Sequence, residues 1–189
     1  NYWEFYIRRA RMKTTDICIE EFPIGFTGEN TFICGKGETL QSIALAELSK
    51  LKAENNTILV TDPYLFPYIR NPSEEQTYKT ELVNLLVSLH AKKVIFCSKE
   101  KKNTVMFQSI ETELQNKGII LGFDQRLEEC HDRFWYCPET QKGVMFGTSL
   151  NGIGKKICRI DELSDLEVKE LKKYFVTAGI LTESTDENG

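Results

Sequence analysis

The chain has 189 residues, which suits one domain, and its 41% apolar and 28% charged residues are typical of a globular protein. A formal net charge of −4 argues against a strongly basic nucleic-acid-binding protein, although a small basic pocket on an acidic surface stays open. No apolar run approaches the roughly 20 residues that span a bilayer, and no signal peptide is recognisable, so we expect a cytoplasmic protein.

The beginning of the chain favours β-structure. Aromatic and basic residues alternate in part over residues 2–12, and residues 17–22 and 31–34 are further strand candidates. Apolar residues at helical spacing then predict a helix over 38–53. We therefore expect an N-terminal β-rich segment, residues 1–36, within the same domain as the residues that follow.

Strands and helices alternate in the middle of the chain. The apolar run Ile58–Val60 is typical of a buried parallel strand and ends at Asp62-Pro63. The pattern continues with a helix over 74–90, a strand over 93–97, a helix over 103–117 and a strand over 119–123. This order predicts an α/β fold with a mixed, mostly parallel sheet flanked by helices. Ligands bind at the carboxyl ends of such strands, where Asp62 lies, although Asp-Pro-Tyr is more often a strand terminator than a catalytic group.

The last third of the chain completes the predicted domain, residues 37–180. Residues 131–137 and 143–146 are expected to pair as a hairpin, and a strand over 156–160 and a helix over 164–175 follow. Residues 181–189 are expected to be a flexible acidic tail.

The six cysteines are spread along the chain without a CxxC pair, which favours reduced, buried thiols. A zinc site built from Cys130, His131 and Cys137 lacks a second ligand pair at the usual spacing. We expect no metal and no cofactor.

Two short segments contain the candidate chemistry. His131 and Arg133 are two apart in a run of strand-forming residues, so their side chains would share one face. A guanidinium matches phosphate oxygens, and an imidazole can attack phosphorus or move protons. Ser149 and Asn151 follow, also two apart, before a glycine-rich turn and Lys155, which we expect to contact phosphate. Each element also has a purely structural interpretation. His131 could be a histidine at the start of a strand, Arg133 could belong to a surface ion pair, and residues 147–154 could be an ordinary turn.

The segment His131-x-Arg133, followed by Gly147-x-Ser149-x-Asn151, resembles the phospholipase D superfamily, whose signature is HxKxxxxD and then a glycine with an SxN pair. The resemblance covers about residues 55–160 and implies one half of that fold. The His-Asp-Arg form is closer to a divergent branch found in bacterial mobile-element and defence proteins. It is also similar to a membrane-binding branch that occurs in cytokinesis.

The resemblance implies a metal-independent phosphodiesterase, a hydrolase of the nuclease type. His131 would be the nucleophile or the acid, Arg133 would take the place of the phosphate-holding Lys, and Ser149 and Asn151 would orient the site. Because the chain has one motif copy, the active form would be a homodimer with two facing His131 residues. Further domains in a longer parent chain stay open.

Two departures from the family pattern favour a different function. Arg133 replaces Lys, which is a compact point charge. The family Asp falls at Pro138, with Glu139 adjacent and Asp132 nearby, although alternation would turn Asp132 away from the His131 face. The alternative is therefore a catalytically decayed module that binds a phosphate-bearing ligand, such as nucleic acid or a phospholipid head group, or a partner protein.

Overall fold

The computed structural model describes residues 31–34, 43–98, 103–127, 130, 132–155 and 157–182, with the backbone alone described for 31–34. The seven strands are β1 (Thr31–Cys34), β2 (Thr57–Val60), β3 (Lys93–Cys97), β4 (Ile120–Asp124), β5 (Arg133–Cys137), β6 (Lys142–Phe146) and β7 (Cys158–Glu162). The α-helices are α1 (Leu45–Leu48), α2 (Pro72–Ser88), α3 (Thr104–Gln115) and α4 (Asp165–Thr177). Short 3₁₀ turns cover Ser49–Leu51 and Leu150–Gly152.

These strands form one mixed sheet in the order β1-β7-β6-β5-β2-β3-β4, and the predicted α/β class is confirmed. Strands β2, β3 and β4 are parallel and are connected through α2 and α3. The other four pairings in the described sheet are antiparallel, so the expectation of mostly parallel pairing is wrong for that half. For β5 and β6 the reason is their short connection, because a tight turn can join only antiparallel strands.

Side chains alternate between two hydrophobic cores. Val60 and Trp135 face the larger core, which is covered by α1, α2 and α3. Leu59 and Tyr136 face the smaller core, where Tyr136 stacks on Phe175 of α4 with ring centroids 5.8 Å apart. Both faces of the central strands are therefore buried, as their continuous apolar runs predict.

Polar residues set the helix starts. The Asn71 side chain accepts a hydrogen bond from the Ser73 amide (3.0 Å), and Asn103 accepts one from the Met106 amide (3.0 Å). Ser164 and Glu167 form a reciprocal capping box at the start of α4. These caps place the helices within two residues of the starts predicted for 74–90, 103–117 and 164–175.

Other predictions have mixed outcomes. The strand predicted over 31–34 is confirmed, and the described part of the helix predicted over 38–53 is helical from residue 43 to Leu51. The strands predicted over 2–12 and 17–22 lie outside the described residues, as do residues 183–189 of the tail predicted over 181–189. The domain boundaries at 36 and 180 stay predictions. None of the described helices is both long and apolar enough to cross a membrane.

Candidate functional site

The candidate site lies where the carboxyl end of β2 meets the start of β5 and the end of β6. We call this the motif edge of the sheet, defined by Thr61, Asp62, Arg133, Ser149 and Asn151. Strand pairing extends beyond β2 because the Thr61 amide donates to the Phe134 carbonyl (2.9 Å) and the Phe134 amide donates to the Thr61 hydroxyl (2.9 Å). This register brings Asp62 next to Arg133, on the face that contains Val60 and Trp135.

Asp62 is fully buried and is the centre of the motif edge. Its Oδ2 accepts hydrogen bonds from the Ser149 hydroxyl (2.7 Å) and the Leu150 amide (3.2 Å), and its Oδ1 accepts one from the Tyr64 amide (3.0 Å). Burial raises the pKa of this carboxyl, while the three donors and the nearby Arg133 charge oppose that rise. The carboxyl therefore holds together two chain segments that are 87 residues apart.

Arg133 is half-buried, and its guanidinium carbon lies 5.7 Å from the centroid of the Tyr64 ring. This distance is within the range of a cation–π contact. Its buried Nε has no hydrogen-bond partner among the described residues. A guanidinium without a full set of acceptors is suited to an anion, since phosphate oxygens can accept from its fork of donors.

The loop after β6 supplies the other two motif residues. Ser149 is buried and donates to Asp62, and Asn151 Nδ2 donates to the Tyr64 carbonyl (3.1 Å). Gly147 lies tightly against β7, because a Cβ there would be 3.0 Å from the Arg159 carbonyl oxygen. The glycine therefore permits the close approach that starts this loop.

The remaining predicted site residues differ in position. Lys155 lies at the end of the loop after β6, and its side chain is exposed. His131 lies outside the described residues. The structure therefore brings Arg133, Ser149 and Asn151 together around Asp62 and Tyr64, and the catalytic and phosphate-binding roles of the predicted residues stay predictions.

Glu139 does not lie at the motif edge. Its Oε1 accepts from the Thr57 amide (3.1 Å) at the amino end of β2, and Thr140 donates its hydroxyl proton to the Leu51 carbonyl (2.7 Å) nearby. We call this opposite end the turn edge, defined by Thr57, Cys137, Glu139 and Thr140. Pro138 and Glu139 follow β5, which runs antiparallel to β2, so neither residue can orient a group at the motif edge.

Cys130 and Cys137 lie at opposite ends of β5. The Cys130 thiol donates to the Asp132 carbonyl (3.4 Å) at the motif edge, and the Cys137 thiol donates to Glu139 (3.6 Å) at the turn edge. Burial raises the pKa of both thiols. The two cysteines therefore cannot share one zinc ion, and the part of the chain that the structure describes contains no group of three metal-ligating residues.

The sequence interpretation underestimated Asp62 and Tyr64. A carboxylate directly after a buried strand was the available signal, because that end of a parallel strand is where ligand sites form. Its partner Ser149 could not be found from spacing, since the contact depends on how β5 and β6 pair in the sheet.

Comparisons with known proteins give little further information. The sequence matches no protein-family model and no curated protein. A solved structure, a polyphosphate kinase from Porphyromonas gingivalis, has 9% sequence identity and a TM-score of 0.47. The match covers 93% of this chain and 31% of that one, so the chain spans about a third of the kinase's length. The phospholipase D resemblance therefore depends on this chain's own motif residues.

Proposed function

We propose that this domain is a phospholipase D-like phosphodiesterase that binds a phosphate group at Arg133. The observation that carries the proposal is the meeting of Arg133, Ser149 and Asn151 at one end of the sheet. Strand β6 separates Arg133 from Ser149 and Asn151 in the sequence, yet the contacts of all three converge on Asp62 and Tyr64. The half-buried Arg133 guanidinium beside them is a cation whose planar fork of donors matches phosphate oxygens.

The proposed chemistry follows the family resemblance. A neutral imidazole of His131 attacks phosphorus, the bond from phosphorus to the leaving oxygen breaks, and the His131 of a second copy protonates that oxygen. Water then cleaves the phosphohistidine and regenerates the imidazole. Arg133 offsets the negative charge that grows on the phosphate oxygens, and Asp62 keeps the Ser149 loop in place. The proposed substrate is nucleic acid, in a bacterial defence or mobile-element setting.

The test is cleavage of DNA, RNA and a generic phosphodiester, in the presence of a chelator, by the wild type and three variants. We expect His131→Ala to lower turnover by about three orders of magnitude or more, because the nucleophile is lost. Arg133→Lys should keep activity, and Glu139→Gln at the turn edge is the matched control that should leave it unchanged. Activity should be bell-shaped in pH, because one imidazole must be neutral while its mate is protonated.

Activity that survives His131→Ala would show that the nucleophile is wrongly assigned. Loss of all activity on addition of chelator would contradict a histidine nucleophile that needs no metal. Circular dichroism spectra of each variant show whether the fold is kept, so that a lost activity is not confused with a lost structure.

The second candidate function is anion binding without catalysis. The position of Glu139 favours it, because Glu139 lies at the turn edge and therefore cannot take the place of the family Asp at the motif edge. Under this function the wild type would show no turnover on any phosphodiester, yet would bind nucleic acid, anionic vesicles or a partner protein through Arg133. Arg133→Gln would then abolish that binding.

A further inference from the structure

Two aromatic side chains are exposed on the loop that follows β2, residues 61–71. Tyr64 is 50% exposed and Tyr68 is 76% exposed. Of the large hydrophobic side chains that are exposed in the described part of the chain, both aromatic ones lie on this loop. Single exposed apolar residues are common, whereas two exposed aromatic rings on one loop beside a cation are typical of an interaction site.

The loop is held firmly, so the rings are not exposed through a loose backbone. Between the two tyrosines, Leu65 and Phe66 are buried in the larger core. The buried Tyr78 hydroxyl of α2 donates to the Leu65 carbonyl (2.8 Å), and Asn103 Nδ2 donates to the Pro67 carbonyl (3.2 Å). The backbone on both sides of each exposed ring is therefore fixed by buried neighbours or by a hydrogen bond.

This loop is continuous with the motif edge. The Tyr64 amide donates to Asp62, and the Tyr64 carbonyl accepts from Asn151. The ring of Tyr64 lies under the Arg133 guanidinium. Arg70 is exposed two residues after Tyr68. Tyrosine and arginine side chains thus occur together on this loop and at the motif edge that it joins, which is the composition of sites that bind single-stranded nucleic acid.

We propose that Tyr64 and Tyr68 are a stacking platform for the bases of a single-stranded nucleic acid whose backbone phosphate binds at Arg133. This proposal rests on the proposed phosphate-binding function and names its substrate class. A base has a flat π-face that stacks on a tyrosine ring, whereas the bases of a duplex are stacked on one another and are not available. A rigid platform also lowers the entropy that ordering the loop would otherwise cost on binding.

The experiment measures the affinity of the full chain for fluorescent 12-nucleotide oligonucleotides of poly-dT, of the matching duplex and of an abasic strand. The abasic strand keeps the phosphates but has no bases, so it separates stacking from phosphate binding. The variants are Tyr64→Leu, Tyr68→Leu and Arg133→Gln. Leu166→Ala is the control, because Leu166 is 51% exposed on α4, which covers the other face of the sheet.

We expect each tyrosine variant to weaken poly-dT binding about tenfold, which is the usual size of one lost base–aromatic stack. Tyr68→Phe should bind poly-dT as the wild type does, and Tyr68→Leu should leave binding to the abasic strand unchanged. Arg133→Gln should weaken binding to both strands, and Leu166→Ala should weaken neither.

Three results would overturn the stacking proposal. In the first, the tyrosine variants bind poly-dT as the wild type does, while Arg133→Gln no longer binds poly-dT or the abasic strand. The phosphate-binding function would then hold without base stacking. Another is a wild type that prefers the duplex. The third is binding to anionic phosphatidylserine vesicles that depends on the tyrosines and is not displaced by poly-dT, which would assign the rings to a membrane surface. If the abasic strand does not bind and Arg133→Gln has no effect, the phosphate-binding function itself fails.

Discussion

The two ends of the central sheet are both polar, but they use their polar groups differently. At the turn edge, the polar side chains are paired with backbone groups, since Glu139 accepts from the Thr57 amide and Thr140 donates to the Leu51 carbonyl. At the motif edge, a buried carboxyl binds three donors, while the Arg133 guanidinium beside it keeps an unpartnered Nε and two tyrosines face outward. The comparison shows that polarity alone does not mark a site. The motif edge differs from the turn edge in the exposed rings beside its buried carboxyl, and the proposed ligand is placed there for that reason.

The largest effect that would break this comparison is the loss of Asp62. Asp62→Ala removes the acceptor for Ser149, Tyr64 and Leu150, and buried donors without partners are costly. We expect the free energy of unfolding to fall by about 3 kcal/mol, measured by urea denaturation. Binding of inorganic phosphate should be lost with it.

A variant of Asp62 that keeps wild-type stability would show that the carboxyl does not hold the motif edge together. Asp62→Asn is the companion variant, since it keeps one oxygen acceptor. It should fall between the wild type and Asp62→Ala in stability.

A smaller effect is a pH dependence of stability that is specific to the motif edge. Burial raises the pKa of Asp62 above its ordinary value of 3.8, so the folded protein holds this proton more tightly than the unfolded chain does. We therefore compare the unfolding free energies of the wild type and Asp62→Asn, and the excess of the wild type over the variant should be largest below about pH 3.8. It should fall as the pH rises through the folded pKa and then stay level.

Asp124 at the end of β4 supplies the opposite sign. Hydrogen bonding from Arg126 lowers the pKa of Asp124, so its contribution is present above pH 3.8 and is lost as the pH falls through the lowered pKa. The corresponding difference for Asp124→Asn should rise with pH. If both differences change in the same direction with pH in chemical denaturation series from pH 3 to 8, the electrostatic account of Asp62 is wrong.

The smallest effect is expected at the turn edge. Glu139→Gln keeps an oxygen for the Thr57 amide, which lies in an exposed contact. We expect the unfolding free energy to change by less than about 0.5 kcal/mol, as is usual for surface substitutions. Phosphate affinity, measured by calorimetry, should not change. A clear loss of affinity in this variant would mean that the two edges are coupled.

Much of the fold was predictable because local signals were strong. The apolar run at Ile58–Val60 and the capping residues Asn71, Asn103 and Ser164 determine where elements begin and end within short windows of sequence. The strand order was not predictable in the same way. The pairing of β2 with β5 joins Val60 to Trp135, and nothing in either segment specifies that partner.

The candidate site shows the same division. Spacing and the family resemblance together indicated Arg133, Ser149 and Asn151, and the sheet brings these three together. The role of Asp62 depends on tertiary contacts, because a carboxylate after a strand becomes a buried acceptor only when the loop after β6 folds over it. Glu139 was a reasonable substitute in sequence, but the direction of β5 carries it to the other edge.

The distance along the chain between Asp62 and Ser149 has a consequence for ligand discovery. Because they meet only in the complete sheet, an unfolded chain does not hold Arg133 beside them, and a phosphate compound that binds there as proposed would bind the native state alone. A ligand at 100 times its Kd would then stabilise the fold by about 2.7 kcal/mol through mass action. Upward shifts in melting temperature across a collection of phosphate compounds would therefore report a ligand of the motif edge without a measurable reaction, and the Arg133→Gln protein would supply the blank.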